Sequence, residues 1–259
     1  MTQDDDKDAA GLQSVTLTMQ VLEEIARTPR GVGVTSLAKA LDTGKSRIHR
    51  HLQTLVQQGY VVRHDESERY EIGHRLVSFS QSIFDNAGLV RAAYDPLLEL
   101  RDTLGHSAVA SQITPEGMLV VSTVPGRSPI EIGVRVGSLL SFHGSAQGKV
   151  ATAFSTPEFQ SRVLRSRLEP ATSLTIVTPS LLQQEFETIR QCGWAVAPNQ
   201  TAMGLNTLAS AIFDASGMIC GAAGIVDMIQ FIGEEPSPDQ IRYTVHAARR
   251  ISERLGFRG

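Results

Sequence analysis

Cysteine is nearly absent from this chain, since only Cys192 and Cys220 occur among its 259 residues. Two thiols cannot build a disulfide framework or a cysteine-rich zinc site. Aromatic residues are also few, at 5%, and no apolar run approaches the roughly 20 residues that span a membrane. The first eleven residues carry four aspartates and no apolar stretch, unlike a secretory signal peptide. These absences predict a protein of the cytoplasm without a membrane segment.

The remaining composition is that of a folded chain with two domains. Hydrophobic residues make up 41% and charged residues 20%, which supplies enough apolar material for a core. At about 100–200 residues per domain, the length favours two domains. The net charge of −3 excludes a polycation but not a locally basic surface. The expected parts are a disordered acidic tail over 1–11, a first domain over 12–74, a linker helix over 75–88 and a second domain over 89–259.

The pattern of the first domain predicts three helices and a β-hairpin. The expected segments are a helix from Ser14 or Thr16, a helix over Ser36–Leu41 capped by Thr35, a helix from Lys45 to Gln58, and strands over 60–63 and 69–73. This order is typical of a winged helix-turn-helix.

The second domain is expected to be mixed α/β, on the same grounds of periodicity and turn residues. Helices are predicted over 90–104, 145–154, 157–167, 180–192 and 238–256. Strands are predicted over 107–113, 117–124, 130–135, 194–198, 207–213 and 218–226.

The third helix combines an anchoring face with a face suited to DNA. At about 100° per residue, Ile48 and Leu52 fall on one side and Arg50 and Gln53 on the other. From Lys45 to Arg63 there are four Lys or Arg and no acidic residue, and phosphate contacts supply most DNA affinity. A merely solvated helix would show the same polar face, so the helix-turn-helix order and the hairpin favour DNA. The residues expected at DNA are Thr35, Ser36, Lys45, Ser46, Arg47, His49, Arg50, Gln53, Arg63 and Arg69.

Several blocks, in order along the chain, carry a family resemblance. They are Gln13-Ser14-Val15, Leu37-Ala38, Lys45-Ser46-Arg47-Ile48-His49-Arg50-His51-Leu52, Gln58-Gly59-Tyr60-Val61, Arg69-Tyr70-Glu71-Ile72-Gly73, Arg75-Leu76, residues 139–149 and residues 204–214. Together they resemble the IclR family of bacterial transcription regulators, and the match extends over residues 13–257. The chain departs from the family at Leu17, where members often carry Arg, and at Thr43-Gly44, where Leu-Pro is common.

The resemblance implies an α/β (α+β) chain with an N-terminal winged helix-turn-helix, a linker helix and a C-terminal GAF-like mixed α/β effector domain. It also implies a ligand-responsive regulator, here a repressor, that binds double-stranded operator DNA as a homodimer or tetramer and responds to a small-molecule effector. Leu76, Phe79, Ile83 and Phe84 would supply the apolar seam of the dimer.

By the same resemblance, the effector lies between a helix start and the central strands. Members that bind small oxoacids carry Asp, Cys and two Ser where this chain has Ala197, Thr207, Gly224 and Val226. Loss of those polar groups predicts a larger or more hydrophobic effector, such as an aromatic compound, unless these are ordinary core positions. Ser145 would either present helix N–H groups to an anion or serve only as an N-cap. The expected effector residues are Ile132, Val134, Ser145, Ala146, Gln147, Ala197, Thr207, Gly224 and Val226.

No motif for catalysis, a metal or a cofactor is recognisable. The run 144–150 has the wrong spacing for a phosphate loop, and His49 and His51 point apart on one helix. The chain is therefore predicted not to be an enzyme and to need no metal or cofactor. The alternative is a GAF-like small-molecule-binding or enzymatic protein whose N-terminal unit is not a DNA reader, which would show no salt-dependent DNA binding.

Overall fold

The computed structural model describes residues 4–64, 67–86, 88–128 and 134–259. The chain divides into two compact units, Met1–Asn86 and Ala87–Gly259. Within the described residues, no helix combines the length and the apolar character that crossing a membrane requires.

The first unit has the predicted order of three helices, a hairpin and a further helix. Its elements are α1 (Asp4–Ala26), α2 (Val34–Ala40), α3 (Lys45–Gln57), β1 (Val61–His64), β2 (Arg69–Ile72) and α4 (His74–Asn86). The strands β1 and β2 pair antiparallel, and an isolated bridge from Val32 to Tyr70 adds the loop before α2 to this wing. The winged helix-turn-helix is thereby confirmed.

Two helix starts in this unit differ from the sequence expectation. The helix α1 begins at Asp4, inside the segment expected to be a disordered tail and well before Ser14 or Thr16. That segment has no aromatic or β-branched apolar residue to bury, but it contains no proline, and its alanines favour a helix. The helix α2 begins at Val34 with Gly33 as its N-cap, so Thr35 lies inside the helix and does not cap it.

One apolar core holds the first unit together. Val21 and Ile25 of α1, Leu37 of α2 and Ile48 and Leu52 of α3 are all 2% exposed or less. These are the inward positions that the helical spacing predicts for the first and third helices. The packing fixes the rotation of α3 and therefore turns the opposite side of that helix to solvent.

The second unit is a six-stranded antiparallel sheet with helices on both faces. Its elements are α5 (Gly88–Leu104), β3 (Ser107–Ile113), β4 (Met118–Val124), β5 (Leu139–Leu140), α6 (Ala146–Ala153), α7 (Pro157–Arg165), α8 (Pro179–Cys192), β6 (Trp194–Val196), β7 (Leu205–Phe213), β8 (Ile219–Met228) and α9 (Pro238–Arg254). The strand order is β5-β4-β3-β8-β7-β6. All five helix predictions and five of the six strand predictions correspond to these elements. The strand expected over 130–135 falls mainly on residues outside the described part, and β5 was not predicted.

Alternating side chains of the central strands separate two cores. Leu208, Ala223 and Ile225 pack with α5 and α9 on one face of the sheet. Ala209 and Ala222 pack with α6 and α8 on the other. The second face, called here the α6 face, carries the positions at which the sequence places an effector.

Candidate functional site

The outer side of α3 presents the residues expected at DNA. Ile48, Leu52 and Leu55 are buried, which leaves the polar positions of this helix facing outward. Gly44 provides the N-cap without a side-chain hydrogen bond, so no neighbouring hydroxyl covers the start of the helix. The exposed residues are Lys45, Ser46, Arg47, His49, Arg50 and Gln53 on α3, and Thr35 and Ser36 at the start of α2.

The two arginines of the wing already have partners inside the first unit. Arg63 donates from Nη2 to Glu68 Oε1 at 2.9 Å. Arg69 donates from Nη1 to the carbonyl oxygens of Arg30 and Gly31, at 3.2 and 3.0 Å, and so ties the wing to the loop before α2. Arg63 and Arg69 are thus less available to phosphates than the arginines of α3.

His51 connects the third helix to the first. Its Nδ1 lies 2.8 Å from Thr18 Oγ1 of α1. Burial lowers the pKa of this imidazole, and the positive charges of Arg47 and Arg50 lower it further. His51 is therefore a structural contact of α3 rather than part of its outer face, in keeping with the expectation that His49 and His51 point apart.

On the α6 face, the structure brings together most of the positions expected at an effector. Gly224 and Val226 of β8 pair with Ala209 and Thr207 of β7. Ala146 of α6 packs in one cluster with Ala197, directly after β6. Val134 packs against a neighbouring cluster of Val109, Val120 and Val226. Ile132 lies outside the described residues.

This face is apolar, but it holds three polar side chains without partners among the described residues. Ser111 is fully buried on β3, and its Oγ has no hydrogen-bond partner. The side chains of Gln147 and Thr207, at 2% and 7% exposure, make no hydrogen bond either. Sequence reasoning missed Ser111, although a polar residue at an inward position of a strand is the signal that could have found it.

Two of the expected residues have a structural explanation. Ser145 is the N-cap of α6, since its Oγ accepts from the N–H of Gly148 and donates to the carbonyl of Ser141. Gly224 has no room for a side chain, because a Cβ there would lie 2.2 Å from the carbonyl oxygen of Leu208. A serine at 224, which the resemblance associates with oxoacid binding, would not fit this backbone.

An open cleft of about 530 Å³ borders the α6 face. Leu140 lines this cleft and also packs against the cluster of Val109, Val120 and Val226. His143 and Glu169 lie on the rim, where His143 Nε2 donates to the carbonyl of Glu169 at 3.0 Å. None of the described residues expected at the effector lines this cleft, which meets the α6 face at Leu140.

A buried ion pair anchors α6 to α8. Lys149 is 0% exposed, and its Nζ donates to Glu185 Oε1 at 2.6 Å. Burial lowers the pKa of this ammonium group, and the attraction of Glu185 opposes that shift. With its ammonium group engaged in this way, Lys149 is not available for a phosphate, in agreement with the spacing argument. Sequence reasoning missed this pair, because nothing in the local pattern distinguishes a buried lysine from an exposed one.

Comparison with known proteins gives consistent matches over the whole length. The family model described as IclR helix-turn-helix domain matches residues 14–65, and that described as bacterial transcriptional regulator IclR C-terminal matches residues 81–253. The glycerol operon regulatory protein of Streptomyces coelicolor is 26% identical over 250 residues, covering 96% of this chain and 98% of that protein. The transcriptional repressor IclR of Escherichia coli is 26% identical over 249 residues, covering 95% of this chain and 90% of that protein.

A solved structure shares the fold. An IclR homolog from Microbacterium hydrocarbonoxydans, crystallised in complex with 4-hydroxybenzoate, matches with a TM-score of 0.81 at 18% identity. The match covers 93% of this chain and 98% of that one.

Proposed function

Because the chain belongs to the IclR family of bacterial transcriptional regulators, we propose that it is a homodimeric repressor whose operator binding is controlled by a small aromatic effector. Its first unit is the DNA-binding domain of the family and its second unit is the effector-binding domain. A regulator of this kind acts on the chromosome in the cytoplasm, and catalysis has no part in its action. The repressor assignment follows the name of the Escherichia coli relative.

The observation that supports DNA binding is the unpaired positive charge on the outer side of α3. Lys45, Arg47 and Arg50 are exposed, and none of them forms an ion pair with a described residue. Free cations on a helix that can enter the major groove provide both phosphate affinity and readout of base edges. We expect Arg50 and Gln53 to contact bases, with Lys45 and His49 near phosphates.

Replacing Arg50 with alanine tests this assignment. Loss of a side chain that reads a base should cost about 1–3 kcal/mol of operator affinity. The measurement is fluorescence anisotropy with a labelled duplex from upstream of the protein's own gene, at two salt concentrations and with an unrelated duplex as competitor. Arg27→Ala is the matched control, since Arg27 is exposed directly after α1 and pairs with Glu23 and Glu24.

The two variants separate the possible outcomes. Weaker operator binding by Arg50→Ala, with Arg27→Ala unchanged, supports the DNA-binding assignment. Salt-insensitive binding, or equal losses in both variants, contradicts it and favours a first unit that serves protein contacts.

The chemistry of the α6 face supports an aromatic effector. Its walls are Val109, Val226, Ala146 and similar side chains, and the polar groups offered are few and uncharged. Ser111, Gln147 and Thr207 could satisfy one or two polar substituents of a mainly apolar molecule. The solved relative in complex with 4-hydroxybenzoate makes hydroxybenzoates the first class to test.

Thermal unfolding with a ligand panel tests the effector class. A ligand present at about 100 times its dissociation constant adds about 2.7 kcal/mol of stability, which a shift in melting temperature detects. We expect 4-hydroxybenzoate or a related aromatic acid to stabilise the protein and pyruvate to have no effect. In Gln147→Leu, the shift should decrease while the melting temperature without ligand changes little. Stabilisation by small oxoacids but not by aromatic acids would overturn the effector class.

The dimer is supported by apolar side chains left exposed on the first unit. Val15 and Met19 lie one turn apart on α1, with 58% and 55% exposure, and Phe79 of α4 is 58% exposed. Exposed apolar surface of this kind is typical of a contact between subunits. The side chains of Ile83 and Phe84, also expected in the seam, lie outside the described residues.

A further inference from the structure

The C-terminal end of α3 is closed by a tight backbone cap. The N–H of Gly59 donates to the carbonyl of Val56 and the N–H of Tyr60 to that of Leu55, both at 2.9 Å. Gly59 has a φ of +74°, the left-handed conformation that such a cap needs and that glycine adopts without strain. The end of α3 therefore has a fixed geometry.

The first residues of α4 pack directly on this cap. The N–H of Gly73 donates to the carbonyl of Tyr60 at 2.8 Å, and the N–H of Arg75 to that of Gly59 at 3.3 Å. A Cβ on Gly73 would lie 2.3 Å from the carbonyl oxygen of Gly59, so no side chain fits between the two backbones. The end of α3 and the start of α4 are thus in backbone contact.

The side chain of Arg75 completes this joint. Its Nη1 donates to the carbonyl of Gln58 at 3.1 Å and lies 3.4 Å from Gln58 Oε1. Its guanidinium group lies over the ring of Tyr60, 5.1 Å from the centroid. The Gln58 carbonyl is one of the acceptors that a helix end leaves free, and a cation there also meets the negative end of the helix dipole. One side chain of α4 therefore contacts both Gln58, the C-cap of α3, and Tyr60, the residue before β1.

We infer that Arg75 is a positioning residue that makes α3 and α4 one rigid piece and thereby sets the spacing between the two recognition helices of a dimer. The inference rests on the proposed function, in which α4 contributes to the dimer seam. When both copies of α4 are held in that seam, an α3 rigidly joined to α4 reaches only half-sites at one separation. Without the Arg75 side-chain contacts, only the backbone hydrogen bonds of Gly73 and Arg75 join α4 to the end of α3, so α3 gains freedom to pivot and operators of altered spacing become acceptable.

The test compares operator spacing preferences of the full-length wild type, Arg75→Ala and Arg27→Ala. The probe is a duplex that the wild type selects from a random pool, with one base pair inserted between its half-sites in a second version. One base pair moves the second half-site by about 3.4 Å along the axis. We expect the insertion to cost the wild type and Arg27→Ala about tenfold or more in affinity, and Arg75→Ala only about twofold, since a pivoting helix absorbs the displacement. The affinity of Arg75→Ala for unrelated DNA and its salt dependence should be unchanged.

Three results would overturn the inference, and they have different meanings. Suppose that Arg75→Ala binds every duplex more weakly by the same factor, and that the slope of log affinity against log salt concentration falls by about 1. Arg75 is then a phosphate contact. If the inserted base pair costs Arg75→Ala as much operator affinity as it costs the wild type, the contacts of Arg75 do not set the spacing between half-sites. The proposed function then still stands. If the wild type itself ignores the insertion, the dimeric operator complex of the proposed function fails together with the inference. Arg75→Met, which keeps the aliphatic stem, decides the matter if circular dichroism shows that Arg75→Ala is unfolded.

Discussion

Replacing Glu185 with glutamine should destabilise the second unit by about 3 kcal/mol, because it leaves the Lys149 ammonium group buried without a counter-charge. Lys149 is 0% exposed, and its other acceptor, the carbonyl of Val196, is 3.5 Å away. Removing one partner of a buried ion pair costs about 3–5 kcal/mol. The Glu185 side chain is 24% exposed, so water can replace part of its effect and the lower end of that range applies.

The loss of stability caused by Glu185→Gln should also depend on pH, in a direction that the burial of Lys149 determines. Burial lowers the pKa of Lys149 from its ordinary value of 10.5, despite the opposing attraction of Glu185. Between the folded pKa and 10.5, the unfolded chain binds more protons than the folded one, so stability contributed by this group rises with pH. Glu185→Gln lowers the folded pKa further and extends that window toward neutral pH. The difference in unfolding free energy between wild type and variant should therefore shrink as the pH rises.

Urea denaturation followed by circular dichroism at two pH values measures both effects. Glu187→Gln is the matched control, because Glu187 is exposed on the same helix. Lys149→Met provides a second comparison, since it removes the buried charge and should cost less than Glu185→Gln. The reasoning is refuted if Glu185→Gln stays within about 0.5 kcal/mol of the Glu187→Gln control, or if its loss is the same at both pH values.

Two further predictions concern the subunit contact and the thiols. Phe79→Glu should lower the molecular mass in sedimentation equilibrium toward that of a monomer, because it places a charge in the proposed seam. Ser78→Glu, about 100° around α4 from Phe79, should lower it less. A Phe79→Glu variant that remains dimeric would exclude this seam. Burial raises the pKa of the Cys220 thiol to about 11, so at pH 8 a maleimide should label exposed Cys192 and leave Cys220 unmodified in the folded protein. Mass spectrometry of the labelled peptides checks this, and rapid labelling of Cys220 would contradict its burial.

The spacing of apolar residues along the sequence predicted which side of a helix or strand is buried. Ile48, Leu52, Leu55 and Val56 were expected on one side of the third helix; the first three are buried there, whereas Val56 is 37% exposed. Strand β3 has the predicted bounds, Ser107–Ile113. The polar face of α3 followed from the same pattern, since the residues opposite an anchoring face must meet solvent.

The features that were missed depend on partners distant in sequence. Lys149 is buried because Glu185, 36 positions later, receives its charge, and no local pattern contains that information. Arg69 was expected near phosphates, yet its guanidinium group binds carbonyl oxygens 38 and 39 positions earlier. The cap of α2 fell on Gly33 rather than Thr35, because the preference of a hydroxyl residue for capping is worth only about 1 kcal/mol and packing can override it.

The crowding around Gly224 limits how such a sensor can acquire a new specificity. A Cβ at this position would lie 2.2 Å from the carbonyl oxygen of Leu208. Substitutions at Gly224 would destabilise the fold before they could alter effector recognition. Ala197, Thr207 and Val226, in contrast, present side chains to the same face of the sheet. Evolution of this scaffold toward other effectors, or a directed-evolution library for a biosensor, would therefore proceed through these three positions while Gly224 stays fixed.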